Sequence, residues 1–200
     1  MSASAPEIYE LDQFTARKKV FKLLGAGFTL IAPDGRVVAA SHQKAFRLKE
    51  DIRVCEGESD SGPELLNIRA NQVIDFGASY RVVDSASGET IGSLRRKGFS
   101  SMFRDSWEIL DADGVVRGRV TEDSGWKAIA RRLNEYVALL LPQTFHIEVE
   151  GQVVGTMKQN FNFLVQKYAV DLSADADGLL PRPLAVATVI LLLAIEGRQG

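Results

Sequence analysis

The stretch LAVATVILLLAI, Leu184–Ile195, is the only segment of the chain that is apolar on every side. As a helix it would span about 18 Å, at about 1.5 Å per residue. That length is well short of a bilayer hydrocarbon core of about 30 Å. A helix that is apolar all round has to be enclosed by other elements. The stretch therefore predicts a buried core helix rather than a membrane span.

The composition is that of an ordinary globular chain. Its 200 residues are 46% hydrophobic and 25% charged, with a net charge of −2, which fits one domain over residues 1–200 with a core from about 11 to 196. The acidic balance gives no general attraction for nucleic acid. The single cysteine excludes an internal disulfide. The first residues carry no secretory pattern, and we expect a cytoplasmic location.

Four segments have the pattern of a β-hairpin, in which two apolar arms flank a polar turn. Asp-Gly and Glu-Gly are strong turn signals between such arms, because glycine adopts a positive φ without steric cost. In the last segment the side chains alternate between apolar and polar, which is the period of a half-buried strand. The four segments are Phe28–Val38, Tyr80–Gly92, Trp107–Val116 and Phe145–Gly155.

Further strand-like runs bring the total to roughly a dozen, with turn signals every 8–12 residues, which favours a barrel or a sandwich. These runs are Val20–Leu24, Lys44–Lys49, Ile52–Glu56, Leu65–Ile68, Ser93–Lys97 and Phe161–Val170.

A second helix is predicted from about 124 to 141. Its apolar residues fall within an arc of about 100°, the width of a stripe that faces a core. Asp123 or Ser124 can cap its start, and Pro142 ends it. One face of this helix is expected to pack and the other to meet water.

The order of these parts resembles the tubby C-terminal-like superfamily, in particular its LURP-one-related and phospholipid-scramblase-like branch. The resemblance runs from about Leu11 to Ile195 and rests on the succession of hairpins at Tyr80, Trp107 and Phe145 before one apolar helix. It implies a mainly β (α+β) fold, a roughly twelve-stranded antiparallel barrel around a hydrophobic C-terminal helix.

Physical reasoning agrees with that fold, because a barrel of twelve strands is too wide for its own side chains to fill and needs a plug. The residues expected to form the plug are Leu184, Val186, Val189, Ile190, Leu191, Leu192, Leu193 and Ile195.

The chain departs from scramblase-like members in three features. It has no proline-rich arm and no cysteine cluster, and its acidic segment Asp171–Gly178 lacks the glutamate that an EF-hand loop needs at position twelve. We therefore expect a solvated turn there and no bound metal.

The catalytic inventory is thin. His42 and His146 are the only candidates for a neutral-pH base, and neither stands in a nucleophile motif. Gly25-Ala26-Gly27 leads into a strand, so it does not predict a dinucleotide loop. Cys55 is expected to be a small packed side chain. We expect no enzyme activity and no cofactor.

Basic residues are the remaining candidates for a binding site. Arg95, Arg96, Lys97 and Arg104 surround Phe99 and Phe103, a pattern that suits phosphate headgroups at a membrane interface. Strand alternation would place Arg96 on the face opposite Arg95 and Lys97, and a solvated face that discourages edge pairing is the alternative. The clusters Arg17–Lys19 and Arg131–Arg132 are expected on exposed faces.

The function expected from the resemblance is that of a non-catalytic cytosolic barrel. Its partner would be a phospholipid or phosphoinositide headgroup, a membrane surface contacted peripherally, or a protein. One alternative is a carrier that holds an apolar ligand in a partly filled barrel. A second alternative is a membrane protein anchored by Leu184–Ile195, against which the shortness of that run argues.

Overall fold

The structure is a computed structural model that describes residues 5–21, 25–43, 51–59, 61–71, 79–97, 106–123, 142–160 and 165–195. Within these ranges it contains two helices, α1 (Glu7–Glu10) and α2 (Arg182–Ile195). The strands are β1 (Gln13–Phe21), β2 (Gly25–Ile31), β3 (Val37–Gln43), β4 (Ile52–Glu56), β5 (Glu64–Ala70), β6 (Ser79–Asp84), β7 (Thr90–Arg96), β8 (Ser106–Asp111), β9 (Val116–Glu122), β10 (Thr144–Val149), β11 (Gln152–Asn160) and β12 (Gln166–Asp171).

The twelve strands form one closed antiparallel barrel. Each strand pairs with its neighbours along the chain, and β1 closes the ring by pairing with β12, from Gln13 opposite Asp171 to Lys18 opposite Gln166. An even number of alternating strands makes this last pairing antiparallel as well. In an open sheet, the unpaired edge strands can pair with other chains. Closure of the described strands into a ring removes such edges.

The four predicted hairpins are confirmed as β2–β3, β6–β7, β8–β9 and β10–β11. The tightest of them turns through Glu150 and Gly151, with φ of 51° and 82°. Positive φ at both turn residues matches the right-handed twist of the flanking strands. The Glu-Gly pair is therefore a local signal that tertiary packing did not override.

The boundaries of several predicted strands differ from those observed. Ser93–Lys97 is not a separate strand, because β7 runs continuously through Thr90–Arg96. The prediction at Val20–Leu24 captured only the end of β1, which is nine residues long. The run Arg17-Lys18-Lys19 obscured the alternation of that strand. Gln166–Val170 of the predicted Phe161–Val170 run belongs to β12. The predicted strand Lys44–Lys49 and the predicted helix 124–141 lie outside the described residues.

One face of the strands is buried and supplies a single hydrophobic core. Phe14 and Ala16 of β1 show the alternation, and Phe145, Ile147 and Val149 of β10 repeat it. These side chains belong to the same core cluster as the residues of α2. The barrel and its last helix therefore share one core.

Helix α2 is buried from Leu184 to Ala194 without interruption. It contacts β1 as well as β5, β6 and β7. Among the expected plug residues Leu184, Val186, Val189, Ile190, Leu191, Leu192 and Leu193 are buried, and Ile195 is partly buried. In the part of the chain that the structure describes, no helix has both the length and the apolar character needed to cross a membrane.

Candidate functional site

Arg95 and Lys97 project from the end of β7 onto the outside of the barrel and share one carboxylate. The guanidinium Nε of Arg95 donates to Glu108 Oε2 at 2.9 Å, and Lys97 Nζ lies 2.7 Å from Glu108 Oε1. Partial burial acts to raise the pKa of Glu108, but the hydrogen bonds from Lys97 and Arg95 outweigh it and hold that pKa below its ordinary value. Both cations are therefore already paired with this one carboxylate.

Arg96 belongs to the other face of β7. Its register partner is Trp107, a buried residue of the core whose ring lies 5.9 Å from that of Tyr80. Burial raises the pKa of Tyr80, while the positive charge of Arg96 opposes that rise. The strand thus separates Arg96 from Arg95 and Lys97, as alternation predicts. Arg104, the fourth predicted residue, lies outside the described residues.

Outward-facing residues of four adjacent strands form what we call the charge ladder: Arg95, Glu108, Arg119 and Glu148. Each is directly opposite the next in the register of β7, β8, β9 and β10. Arg119 Nη2 lies 2.6 Å from Glu148 Oε2. The signs of the charges alternate along the ladder. Glu108 stands between Arg95 and Arg119, and Glu148 stands beside Arg119. Alternating opposite charges stabilise neighbouring strands.

A groove of about 590 Å³ lies along the charge ladder, and we call it the charged groove. Its charged lining consists of three cations and three carboxylates, and Val116 adds an apolar edge. The charged residues are Lys97, Arg117, Arg119, Glu108, Glu148 and Glu150. The charged residues of this groove show no excess of either sign, and so it differs from the basic patch that the sequence predicts.

A second, smaller cavity of about 210 Å³ opens beside the start of α2, and we call it the apolar cavity. Its aliphatic lining comes from β7, β8, β10, the segment before α2 and the first turn of α2, and Asp111 adds a carboxylate. The aliphatic residues are Ile91, Ile109, Leu110, Val149, Leu179, Leu180, Pro181 and Leu184. Arg117 and Glu150 line this cavity as well as the charged groove. The two spaces are therefore neighbours.

Lys18 corrects an expectation from the sequence. It was expected on an exposed face, yet its residue is only 5% exposed. Its Nζ donates to the carbonyl oxygens of Leu193 and Ala194, at 2.9 and 3.5 Å. These carbonyls belong to the last turn of α2, where a helix has unpaired acceptors and a partial negative charge. The spacing Phe14, Ala16, Lys18 places the lysine on the apolar face of β1, a signal that the sequence contained.

The acidic segment before α2 is a structured turn. The carboxylate of Asp175 accepts hydrogen bonds from the backbone N–H groups of Leu179 and Leu180, at 2.8 and 3.2 Å. Asp171 accepts from the backbone N–H of Ser173 at 2.9 Å. These carboxylates are thus engaged by their own loop. Within the described ranges, no group of three metal-ligating side chains comes together.

His146 stands on the outside of β10, with its Nε2 3.9 Å from Asp123 Oδ2. That distance is too long for a hydrogen bond. The side chain of His42 lies outside the described part of the chain. Cys55 is buried, as expected for a packed side chain.

Comparison with protein-family models, with curated proteins and with solved structures found no match for the chain. The resemblance to the tubby C-terminal-like superfamily therefore rests on the order of sequence motifs alone.

Proposed function

We propose that this chain is a non-catalytic barrel that encloses its own C-terminal helix and binds phospholipid headgroups at a membrane surface through its outer face. The observation that carries the proposal is the uninterrupted burial of Leu184–Ala194, which supports a filled interior, together with an open charged groove outside. A barrel whose lumen is filled has to bind its partner on the exterior, and the charged groove is the larger of the two cavities described above.

The contacts of α2 support its place inside the barrel. In the ring of twelve strands β1 and β7 are six strands apart in either direction, and α2 contacts both. A single helix reaches two opposite walls most simply from the lumen. The burial of Leu184–Ala194 on every side agrees with that place. Close packing is also visible at Gly92 of β7, where an added Cβ would lie 3.0 Å from Leu184 Cδ2.

The chemistry of the charged groove suits a phosphate-bearing headgroup. Arg117 and Arg119 offer planar guanidinium groups, which match the oxygens of a phosphate, and Lys97 adds a flexible ammonium. The cations lie on the outer surface of one side of the barrel, where a flat lipid surface can reach them. The resemblance implies the same class of partner.

Vesicle flotation tests the proposal at about 0.15 M salt, where screening suppresses weak surface attraction. Vesicles of phosphatidylcholine and phosphatidylethanolamine should float the protein in one or more mixtures, with or without phosphatidylserine or a phosphoinositide. Lys97→Gln combined with Arg119→Gln should reduce the bound fraction severalfold. The matched control is Arg53→Gln, which removes an exposed, ion-paired arginine from β4. Absence of flotation with every composition would contradict the proposal.

The apolar cavity favours a second candidate function, that of a carrier for a small apolar ligand. Its aliphatic lining beside Leu184 could shelter such a ligand outside the packed core. Native mass spectrometry of the purified protein tests this candidate. A co-purified apolar molecule, lost in a Leu179→Ser variant, would support it, and a single ligand-free mass would exclude it.

A further inference from the structure

We propose that the charged groove and the apolar cavity form one site for a zwitterionic phospholipid, whose headgroup lies in the groove and whose first acyl carbons enter the cavity. This inference rests on the proposed function and adds the chemical class of the lipid. It also places the ligand on strands β8, β9 and β10, where Lys97 of the basic cluster favoured by the sequence lines the groove.

The charged groove and the apolar cavity meet at the ion pair between Arg117 and Glu150, which line both. Arg117 Nη1 lies 3.8 Å from Glu150 Oε1, too far for a hydrogen bond, while Arg117 Nε donates to Asp111 Oδ2 at 2.8 Å. The hydrogen bond from Arg117 holds the pKa of Asp111 below its ordinary value. Arg117 is thus held at Nε while its Nη1 makes no hydrogen bond to Glu150, and this outer nitrogen faces the place of a ligand that spans both spaces.

The balance of charge distinguishes a zwitterion from a simple anion. An anion that binds Arg119 displaces Glu148 and leaves that carboxylate without its cation. In a ligand with a phosphate and an ammonium group, the phosphate binds Arg119 in place of Glu148, and the ammonium group binds Glu148 in place of Arg119. Because an uncompensated, partly buried charge is costly, the zwitterion is the better match for three cations and three carboxylates.

The cations and the carboxylates of the charged groove differ in burial, and this difference decides which groups a ligand can replace easily. The cations are well exposed, at 64% for the Lys97 side chain and 63% for that of Arg119, whereas Glu108 and Glu148 are only 12% and 24% exposed. Pairs formed by exposed cations contribute little, so a phosphate takes such a cation at small cost. The more deeply placed carboxylates then need a cationic group from the ligand.

The apolar part of the ligand has a place beside the headgroup. The apolar cavity is lined by Leu179, Leu180 and Leu184, and Val116 at 47% exposure lines the neighbouring groove. Val115, Val116 and Val153 are the large hydrophobic residues that the described structure leaves exposed, and all three belong to the β8–β9 and β10–β11 hairpins. A zwitterionic phospholipid has apolar acyl carbons directly next to its charged headgroup, and the groove and the cavity are adjacent in the same way.

Titration of the full chain with monomeric short-chain phosphatidylcholine, followed by calorimetry or amide NMR shifts, tests the inference. Three further probes separate the sources of affinity: phosphocholine, short-chain phosphatidic acid and an uncharged alkyl glycoside of equal chain length. We expect short-chain phosphatidylcholine to bind at least tenfold more tightly than each of the other three. We also expect its affinity to change little between about 0.05 and 0.3 M salt, because the ligand has no net charge.

Variants locate the site and separate its two halves. Arg119→Gln and Glu148→Gln should each weaken phosphatidylcholine binding about tenfold, and Glu148→Gln should at the same time strengthen phosphatidic acid binding. Leu179→Ser should weaken the lipid and leave phosphocholine unchanged. Arg53→Gln is the matched control and should leave every affinity unchanged, with melting temperatures confirming that each variant is folded.

The possible failures are distinguishable. If phosphatidic acid binds as tightly as phosphatidylcholine, or if Glu148→Gln leaves both affinities unchanged, the zwitterionic site is wrong, although anionic vesicles that float the protein would preserve the proposed function. If short-chain phosphatidylcholine binds while no vesicle floats the protein, the site stands and the membrane role is wrong.

Discussion

Lys18 and Arg119 are cations on strands of the same barrel, and their surroundings give them opposite roles. Lys18 is buried and donates to two carbonyl groups at the end of α2. Arg119 is exposed and stands between two carboxylates of the charge ladder. A buried donor that satisfies helix carbonyls is costly to remove, whereas an exposed ion pair contributes little. The comparison teaches that the contact between β1 and α2 contributes to stability, while the exposed ion pairs of the outer face can be broken at little cost.

The largest effect should come from a charge placed in α2. Leu192 is 2% exposed in the shared core, so Leu192→Asp should cost about 5 kcal/mol or more and unfold the domain, because an ionised carboxylate there has no partner. Loss of the β signal in circular dichroism and of a cooperative thermal transition would show it. Val115→Asp is the control, since Val115 is exposed in the β8–β9 turn. A folded Leu192→Asp protein with an unchanged melting temperature would refute the enclosed helix.

Removal of the buried lysine at the end of α2 should have an intermediate effect. Lys18→Met keeps the aliphatic stem but leaves the carbonyls of Leu193 and Ala194 without this donor, which should cost about 1–3 kcal/mol. Chemical denaturation would measure the loss as a lower midpoint with an unchanged slope. Lys158→Met on the exposed face of β11 should stay within about 0.5 kcal/mol of the parent. Equal effects of the two substitutions would contradict the role of Lys18.

The smallest effect should come from the charge ladder. Arg95→Gln should cost less than about 1 kcal/mol, because the arginine is exposed. It should nevertheless raise the pKa of Glu108, since one of the hydrogen bonds that lower this pKa is lost. A carboxyl NMR titration of both proteins measures that change.

The sign of the accompanying pH dependence follows from the lowered pKa of Glu108. A carboxylate whose pKa is lower in the folded state contributes stability above its unfolded pKa, and that contribution is lost as the pH falls through the folded value. The parent should therefore lose slightly more stability than Arg95→Gln on acidification below about pH 4. Identical Glu108 titrations in the two proteins would show that Arg95 does not hold this carboxylate.

The sequence predicted the elements whose signals are local. The Asp-Gly and Glu-Gly turns, the alternation of β10 and the extent of the terminal helix are all visible within about a dozen residues. The number of strands alone agrees with a barrel and equally with a sandwich. The pairing of β1 with β12 decides this point, and it joins residues about 150 positions apart that no local pattern relates.

The candidate site was predicted only in part. Alternation separated Arg96 from Arg95 and Lys97, and the structure agrees. The charge ladder could not be read from the sequence, because it depends on the register of four strands, in which Glu108 is placed opposite both Arg95 and Arg119. Cross-strand partners are set by turn length and by bulges such as the register shift between Ile109 and Leu110.

By itself the sequence determined that this chain makes many short strands and one helix that water cannot solvate. Both properties follow from side-chain periodicity and turn chemistry, which act over short distances along the chain. Only the tertiary structure decided which partners the cations Lys18 and Arg119 meet. Packing of α2 against β1 brings Lys18 to the end of the helix, and the register of β7 to β10 lines up Arg95, Glu108, Arg119 and Glu148 outside. The energetic value of a charge depends on those surroundings, and packing of the whole barrel sets them.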